Sequence, residues 1–122
     1  MIVQVSDVTA FQDASRIVVH LGSPSAAGTI LVLAVLTSGR CKAGIRVSDN
    51  LTGNSRWRQA NHNDRSAFWH RVHSPHTGVT EVIIETPNAL PITGRALVAE
   101  TAGASAGAAV QFLSDLLLEV GA

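Results

Sequence analysis

The sequence predicts an all-β fold, an antiparallel β-sandwich of about seven or eight short strands in the jelly-roll or immunoglobulin-like manner. Three observations lead to this expectation. Short runs of apolar and β-branched residues recur about every 10–15 residues, with Gly, Pro, Asn or Ser between them. The body of the chain shows no convincing amphipathic helical period. The length of 122 residues suits a single domain, 1–122, and 46% hydrophobic residues are enough for a core.

The first two predicted strands are residues 2–9 and 16–21. In the first, Val3 and Val5 lie on one face and alternate with the polar Gln4 and a serine on the other face, which is a strand period. The second strand follows a polar step and ends at a Gly-Ser-Pro-Ser turn.

The next two predicted strands are residues 29–36 and 45–49. Because residues 29–36 are apolar on both faces, they predict a central strand that is covered on both sides. Residues 45–49 enter a polar turn in which Asp49 and Asn54 are expected to bond local backbone amides. A calcium site built from the oxygen atoms of this turn is the alternative.

The second half of the chain gives three more predicted strands, residues 67–72, 79–86 and 95–100. Residues 67–72 alternate aromatic, basic and apolar side chains. In residues 79–86 the alternation places Val82 and Ile84 inward and the two glutamates outward. These strands complete the two sheets of the predicted sandwich.

The C-terminal region is a small-residue loop, 103–109, followed by an apolar segment, 110–120. A helical stripe runs from Val110 to Val120, whereas the consecutive leucines of the same segment fit a buried strand equally well. We expect a strand, because it can pair beside the N-terminal strand.

Charge and composition exclude several partners. Nine basic and nine acidic side chains cancel, so no long-range field attracts nucleic acid or an anionic membrane. The longest apolar run is about eight residues, far below the roughly 20 of a membrane helix. The first residues show no secretory signal. The single cysteine, Cys41, allows no internal disulfide.

Five motifs follow one another in an order that resembles a bacterial and bacteriophage β-sandwich module with the pattern GdlLvv, vsDsaGNtW, an aromatic strand, tvtv and lavlEysG. In this chain they are Gly28-Thr-Ile-Leu-Val-Leu-Ala-Val, Val47-Ser-Asp49 with Gly53-Asn54 and Trp57, Phe68-Trp-His-Arg, Val79-Thr-Glu-Val-Ile-Ile and Ala96-Leu-Val-Ala-Glu100. The resemblance covers about residues 25–103. The turn has one extra residue, and Thr101-Ala-Gly replaces the usual aromatic end.

Modules of this kind occur in bacterial surface proteins and in virion proteins such as minor tail components of phages. We expect a bare module, and the use of eight Arg against one Lys fits a high-GC genome. The resemblance therefore implies a structural virion protein of a bacteriophage, either a minor tail or a capsid-decorating protein. It would be made in the host cytoplasm, reside in the virion and contact other virion proteins, with self-association as a further option.

Catalytic and metal-binding patterns are weak. Four histidines, His62, His70, His73 and His76, lie near Asp64, but strand alternation puts His70 and His73 on opposite faces. The chain has no Gly-x-Ser-x-Gly elbow and no phosphate-binding Gly-x-x-x-x-Gly-Lys loop. We therefore expect no enzyme, no bound metal and no cofactor.

Arginine and tryptophan concentrate between residues 56 and 71, and both are enriched at protein interfaces. The sequence therefore predicts contacts with other proteins in this region. The alternative function is a carbohydrate-binding or receptor-binding module that stacks a sugar on Trp57 or Trp69. The candidate interface or ligand residues are Trp57, Arg58, Arg65, Trp69, Arg71 and His73.

Overall fold

The computed structural model describes residues 2–37, 45–51, 57–62, 66–71, 78–86 and 91–102, together with residues 111 and 115. Of residues 2, 60–62 and 66–71 it describes the backbone alone. Within these ranges the chain forms nine strands. They are β1 (Ile2–Val5), β2 (Thr9–Ala14), β3 (Arg16–His20), β4 (Ile30–Thr37), β5 (Arg46–Asp49), β6 (Trp57–His62), β7 (Ser66–Arg71), β8 (Glu81–Glu85) and β9 (Ile92–Thr101).

The strands form two antiparallel sheets, which confirms the predicted all-β sandwich. The larger sheet has the order β1-β9-β4-β7-β6, and β2 pairs with β9 beside β1. The smaller sheet has the order β3-β8-β5. The chain passes from one sheet to the other at Ser15, between β2 and β3. The backbone carbonyl of Ser15 accepts a hydrogen bond from Thr86 N (3.0 Å), which fixes this crossing beside the end of β8.

The core lies between the sheets. Every second residue of the paired strands contributes, as the alternation predicts, and both Val82 and Ile84 are fully buried. The principal apolar residues of this core are Ile17, Val19, Leu31, Leu33, Val35, Val47, Trp57, Val82, Ile84 and Val98. The two glutamates of β8, Glu81 and Glu85, are half-buried and exposed respectively, so the predicted inside and outside of this strand are confirmed.

Strand β4 is buried on both faces, as its sequence predicts. On the face opposite the main core, Val32 and Ala34 of β4 form a second cluster with Leu97 and Ala99 of β9. All four are fully buried, so this side of the larger sheet is also shielded from solvent. Two layers of apolar residues therefore hold β4 and β9 in the middle of the sheet.

Two strands differ from the sequence-based expectation. The predicted first strand, 2–9, ends at Val5, and a separate strand β2 begins at Thr9 and continues over residues 12–14, which we expected to be part of a polar step. It contains a bulge in which Gln12 and Asp13 lie opposite one residue of β9, and Asp13 has a positive φ of 48°. Strand β6 follows the polar turn directly and was not expected as a strand. Both lie at edges of the larger sheet, where few apolar residues are needed.

The expectation of a C-terminal strand is wrong at the two residues of 110–120 that the structure describes. Gln111 and Asp115 are helical, and Gln111 Nε2 donates a hydrogen bond to Asp115 Oδ1 over 3.0 Å. This is the i, i+4 spacing of a helix surface, and both side chains are exposed. The position beside β1 that we assigned to a C-terminal strand belongs to β9.

Candidate interaction surface

Trp57 is not a surface residue, which corrects its assignment as an interface or sugar-stacking candidate. Its ring is 5% exposed and belongs to the main core. The indole Nε1 donates a hydrogen bond to Asp49 Oδ2 over 2.9 Å. The other carboxylate oxygen, Asp49 Oδ1, accepts a hydrogen bond from Leu51 N over 2.8 Å. The predicted structural role of Asp49 in its turn is confirmed.

The other candidates of the Arg/Trp region are described only in part. Arg58 is exposed, and its guanidinium donates a hydrogen bond to the Trp57 carbonyl over 3.0 Å. The backbone of Trp69 pairs with Leu33 and Gln59, and that of Arg71 pairs with Trp57. The side chains of Trp69 and Arg71 lie outside the described part of the structure, as do residues Arg65 and His73 altogether. Their predicted role as contacts stays a prediction.

A second candidate surface lies at the opposite edge of the larger sheet from β6. We call β1, β2 and the residues between them, 2–14, the N-terminal edge. Of the four large apolar residues that are exposed in the described part of the chain, three lie here: Val3 is 45%, Val5 39% and Val8 38% exposed. The fourth is Leu51, which lies in the turn that follows β5. The sequence analysis missed this surface.

In β1 and the residue that follows it, the polar side chains face inward and the apolar side chains face outward, whereas Phe11 and Ala14 of β2 pack on the main core in the ordinary way. The alternation in β1 was recognised in the sequence, but the buried face is the polar one: Ser6 is 7% exposed and Gln4 is half-buried. In a strand that packs one face on a core, the apolar face normally turns inward. The reversal leaves Val3 and Val5 in contact with solvent.

A buried carboxylate explains why Gln4 turns inward. Glu100 of β9 is 1% exposed, and its Oε1 accepts a hydrogen bond from Gln4 Nε2 over 2.7 Å. Its Oε2 accepts hydrogen bonds from Ala26 N (2.7 Å) and Thr29 Oγ1 (2.6 Å). Gln4 Nε2 also donates to the Ser23 carbonyl over 2.9 Å. Both oxygens of this almost fully buried carboxyl group are therefore hydrogen-bonded to N–H donors, which offsets the cost of burying it.

Ser6 turns inward because it completes the ladder of β9 where β1 ends. Its backbone N–H donates to the Val98 carbonyl, and its Oγ accepts from Val98 N, both over 2.8 Å. The serine hydroxyl thus replaces the carbonyl that a regular strand would present to Val98. These two bonds fix the chain at the break between β1 and β2.

The charge of the N-terminal edge is purely negative. Residues 2–14 contain Asp7 and Asp13, both exposed, and no Lys or Arg. In the part of the chain that the structure describes, β1 and β2 pair only with β9. The other side of the edge therefore presents backbone N–H and C=O groups together with three exposed valines, a combination that can bind another strand.

The predicted histidine cluster lies only partly within the described residues. They contain no group of three or more His, Cys, Asp or Glu side chains that is arranged to hold a metal ion. Of the histidine cluster, the backbones of His62 and His70 lie in β6 and β7, whereas Asp64, His73 and His76 lie outside the described residues. Among the described residues, no helix has the length and apolar character to cross a membrane.

Comparison of the chain with models of protein families, with curated proteins and with solved structures finds no match. The function must therefore be inferred from the chain's own residues and geometry.

Proposed function

We propose that this protein is a non-enzymatic structural subunit of a bacteriophage particle, a minor tail or capsid-decorating protein that acts through contacts with other proteins. The observation that carries the proposal is the reversed polarity of β1, within the N-terminal edge. Burying Gln4 and exposing Val5 is unfavourable for an isolated domain, and it becomes favourable when a partner covers the valines. In a structural subunit, a neighbouring protein of the particle covers such a surface permanently.

The phage part of the proposal depends on the resemblance of the five motifs to phage virion modules. Three of the motif positions also have structural roles that a small sandwich needs. Glu100 fixes the loop before β4, and Asp49 binds the Trp57 ring in the core. The motif residues therefore serve the scaffold, and the surface that differs from an ordinary sandwich is the N-terminal edge.

Carbohydrate or receptor binding remains the second proposal in a narrower form. Trp57 is used by the core, so a stacking platform would have to be built on Trp69. No observation on the described residues favours this function over protein contact. Among the described residues, the buried carboxyl groups of Glu100 and Asp49 are bonded to other side chains and to backbone groups, an arrangement that supports the scaffold.

The proposal is tested on phage particles. Particles purified on a density gradient from a lysate of the producing host are digested and analysed by mass spectrometry. We expect peptides of this protein to follow the infectious particles through the gradient. Recovery of the protein only in the soluble fraction of the lysate would refute a structural role.

A surface variant connects particle incorporation to the N-terminal edge. Replacing Val3, Val5 and Val8 together by serine removes the exposed apolar side chains of the N-terminal edge. The inward hydrogen bonds of Gln4 and Ser6 are kept. We expect fewer copies of this variant per particle than of the original protein. The control is Leu51→Ser, which removes an equally exposed apolar residue elsewhere and should be incorporated normally. Equal incorporation of both variants would exclude the edge as the contact.

A further inference from the structure

We propose that β1 of this chain pairs antiparallel with β1 of a second copy, about a two-fold axis that passes beside Val5. The inference rests on the proposed function and deepens it, because it names the first partner of the N-terminal edge. The larger sheets of two copies would then continue into one another through their β1 strands.

The backbone of Val5 is oriented for this pairing. Successive residues of an extended strand direct their N–H and C=O groups to opposite sides. Ser6 directs its N–H to the Val98 carbonyl of β9, over 2.8 Å. The N–H and C=O of Val5 therefore point away from β9, toward the open side of the sheet. Two Val5 residues related by a two-fold axis can exchange both of their hydrogen bonds.

The side chains around this axis are self-complementary. Val5 is 39% exposed, and pairing about Val5 places it directly opposite Val5 of the second copy. Apolar residues directly opposite each other in an antiparallel pair contact closely and stabilise the pairing. Gln4 does not interfere, because its amide is bound on the inner side by Glu100 and Ser23.

Charge is compatible with a second copy of the same chain. Residues 2–6 contain no charged residue type, and the first acidic residue along the strand is Asp7. In a pair centred on Val5, Asp7 lies opposite Val3, so the two Asp7 positions are four residues apart, about 13 Å. This exceeds the Debye length of about 8 Å at physiological ionic strength, so the like charges are largely screened.

The expected dimer is weak in free solution. A contact made by one short strand buries much less than the roughly 1,200–2,000 Å² of a stable interface. We therefore expect a concentration-dependent equilibrium, with dissociation near the millimolar range for the isolated protein. Within an assembled particle, neighbouring subunits hold the two copies together and raise their effective concentration.

Sedimentation equilibrium of the full chain over a range of concentrations tests the pairing. We expect the average mass to rise toward that of a dimer. Val5→Lys places two ammonium groups opposite each other at the axis and should keep the protein monomeric at every concentration. Leu51→Lys adds the same charge at an exposed apolar residue of another surface and should leave the association unchanged. Circular dichroism melting checks that both variants fold.

Disulfide trapping tests the axis itself in a Cys41→Ser background. Hydrogen-bonded antiparallel residues have Cα atoms about 5.5 Å apart, which is within disulfide range. The Val5→Cys variant should therefore form a cross-linked dimer on mild oxidation. In the same pairing two Val8 positions are six residues apart, about 20 Å, so Val8→Cys should remain uncross-linked.

A monomer at all concentrations, a dimer that survives Val5→Lys, or cross-linking of Val8→Cys instead of Val5→Cys would overturn the pairing. These results are independent of the particle experiment. A monomeric protein that is nevertheless found in purified particles would refute the self-pairing and leave the structural role intact. A dimeric protein that is absent from particles would do the reverse.

Discussion

Trp57 Nε1 donates a hydrogen bond to Asp49 Oδ2 over 2.9 Å, and both side chains are buried, 5% and 4% exposed. The bond joins the end of β5, in the smaller sheet, to the start of β6, in the larger sheet. One carboxylate thus fixes the orientation of a core indole and also, through Leu51 N, the polar turn that leads to it. Both oxygens of this buried carboxyl group therefore accept a hydrogen bond, which offsets the cost of burying it.

A double-mutant cycle on this pair should show strong coupling. Asp49→Ala leaves the indole N–H of Trp57 buried without an acceptor, and we expect the free energy of unfolding to fall by about 2 kcal/mol. Trp57→Phe removes the donor. In the double variant neither group is left unpaired, so the combined loss should be smaller than the sum by about 1–2 kcal/mol. Denaturation in urea measures all four proteins, and strict additivity would contradict the coupling.

The scaffold was predictable wherever the sequence itself determines burial. Strand β4 was identified because apolar residues on both of its faces are compatible only with a central position, and Leu33 and Ala34 are both fully buried. Strand β2 was missed because its pairing with β9, and not an apolar pattern of its own, makes it a strand. Its polar residues Gln12 and Asp13 occupy a bulge. Edge strands carry little apolar signal of their own.

The candidate site was less predictable, because the decisive contacts are distant in sequence. The alternation of Val3, Gln4 and Val5 is visible in the chain, but which face turns inward depends on Glu100, 96 residues from Gln4. Similarly, Trp57 has the residue type of an interface anchor, and only its bond to Asp49 assigns it to the core. The sequence contains both partners of each bond but not their distance.

Replacing Glu100 by glutamine should destabilise the protein although the shape is nearly unchanged. Each carboxylate oxygen accepts from a fixed N–H donor, Oε1 from Gln4 Nε2 and Oε2 from Ala26 N, and Thr29 Oγ1 lies within hydrogen-bond distance of Oε2 as well as of the Ala26 carbonyl. A glutamine amide presents an N–H₂ group to one of the two N–H donors, which leaves two donors facing each other in a buried site. We expect a loss of about 1–3 kcal/mol in the free energy of unfolding.

The matched control for this substitution is Glu85→Gln, which removes a carboxylate charge from an exposed position of β8. Its effect should lie within about 0.5 kcal/mol of zero. Chemical denaturation of the two variants side by side makes the comparison. Equal stability of the two would mean that the hydrogen bonds of Glu100 contribute nothing to the fold.

Gly94 should not tolerate a side chain. It lies in β9 between Thr37 of β4 and Phe11 of β2, and a Cβ atom at this position would lie 2.1 Å from the Leu36 carbonyl oxygen. Because the obstacle is backbone in the centre of the sheet, it cannot move away cheaply. We expect Gly94→Ala to lower the free energy of unfolding by about 1–3 kcal/mol or more.

Gly22→Ala provides the control for the Gly94 substitution, because the nearest atom to its added Cβ is 3.9 Å away, at Gln4 Oε1. Its melting temperature should stay close to that of the original protein, whereas Gly94→Ala should melt clearly earlier. A Gly94→Ala protein as stable as Gly22→Ala would show that β4 and β9 are further apart than the structure places them.

Ser6→Ala should open the N-terminal edge at the break between its two strands. The substitution removes the oxygen that accepts from Val98 N, a backbone group at a residue that is fully buried. An unpaired buried N–H costs about 1–3 kcal/mol, so the free energy of unfolding should fall by this amount. Hydrogen exchange gives a local readout, because the Val98 amide should lose protection more than the amides of β8, in the other sheet.

Ser23→Ala is the control, since the bonds of Ser23 to Gln4 are made by its backbone and should survive. If the Val98 amide exchanged equally slowly in both variants, the Ser6 hydroxyl would not be its acceptor. Because Ser6 also orients the neighbouring Val5 outward, the same variant should weaken the β1 pairing of two copies, which links the stability of this break to the proposed contact.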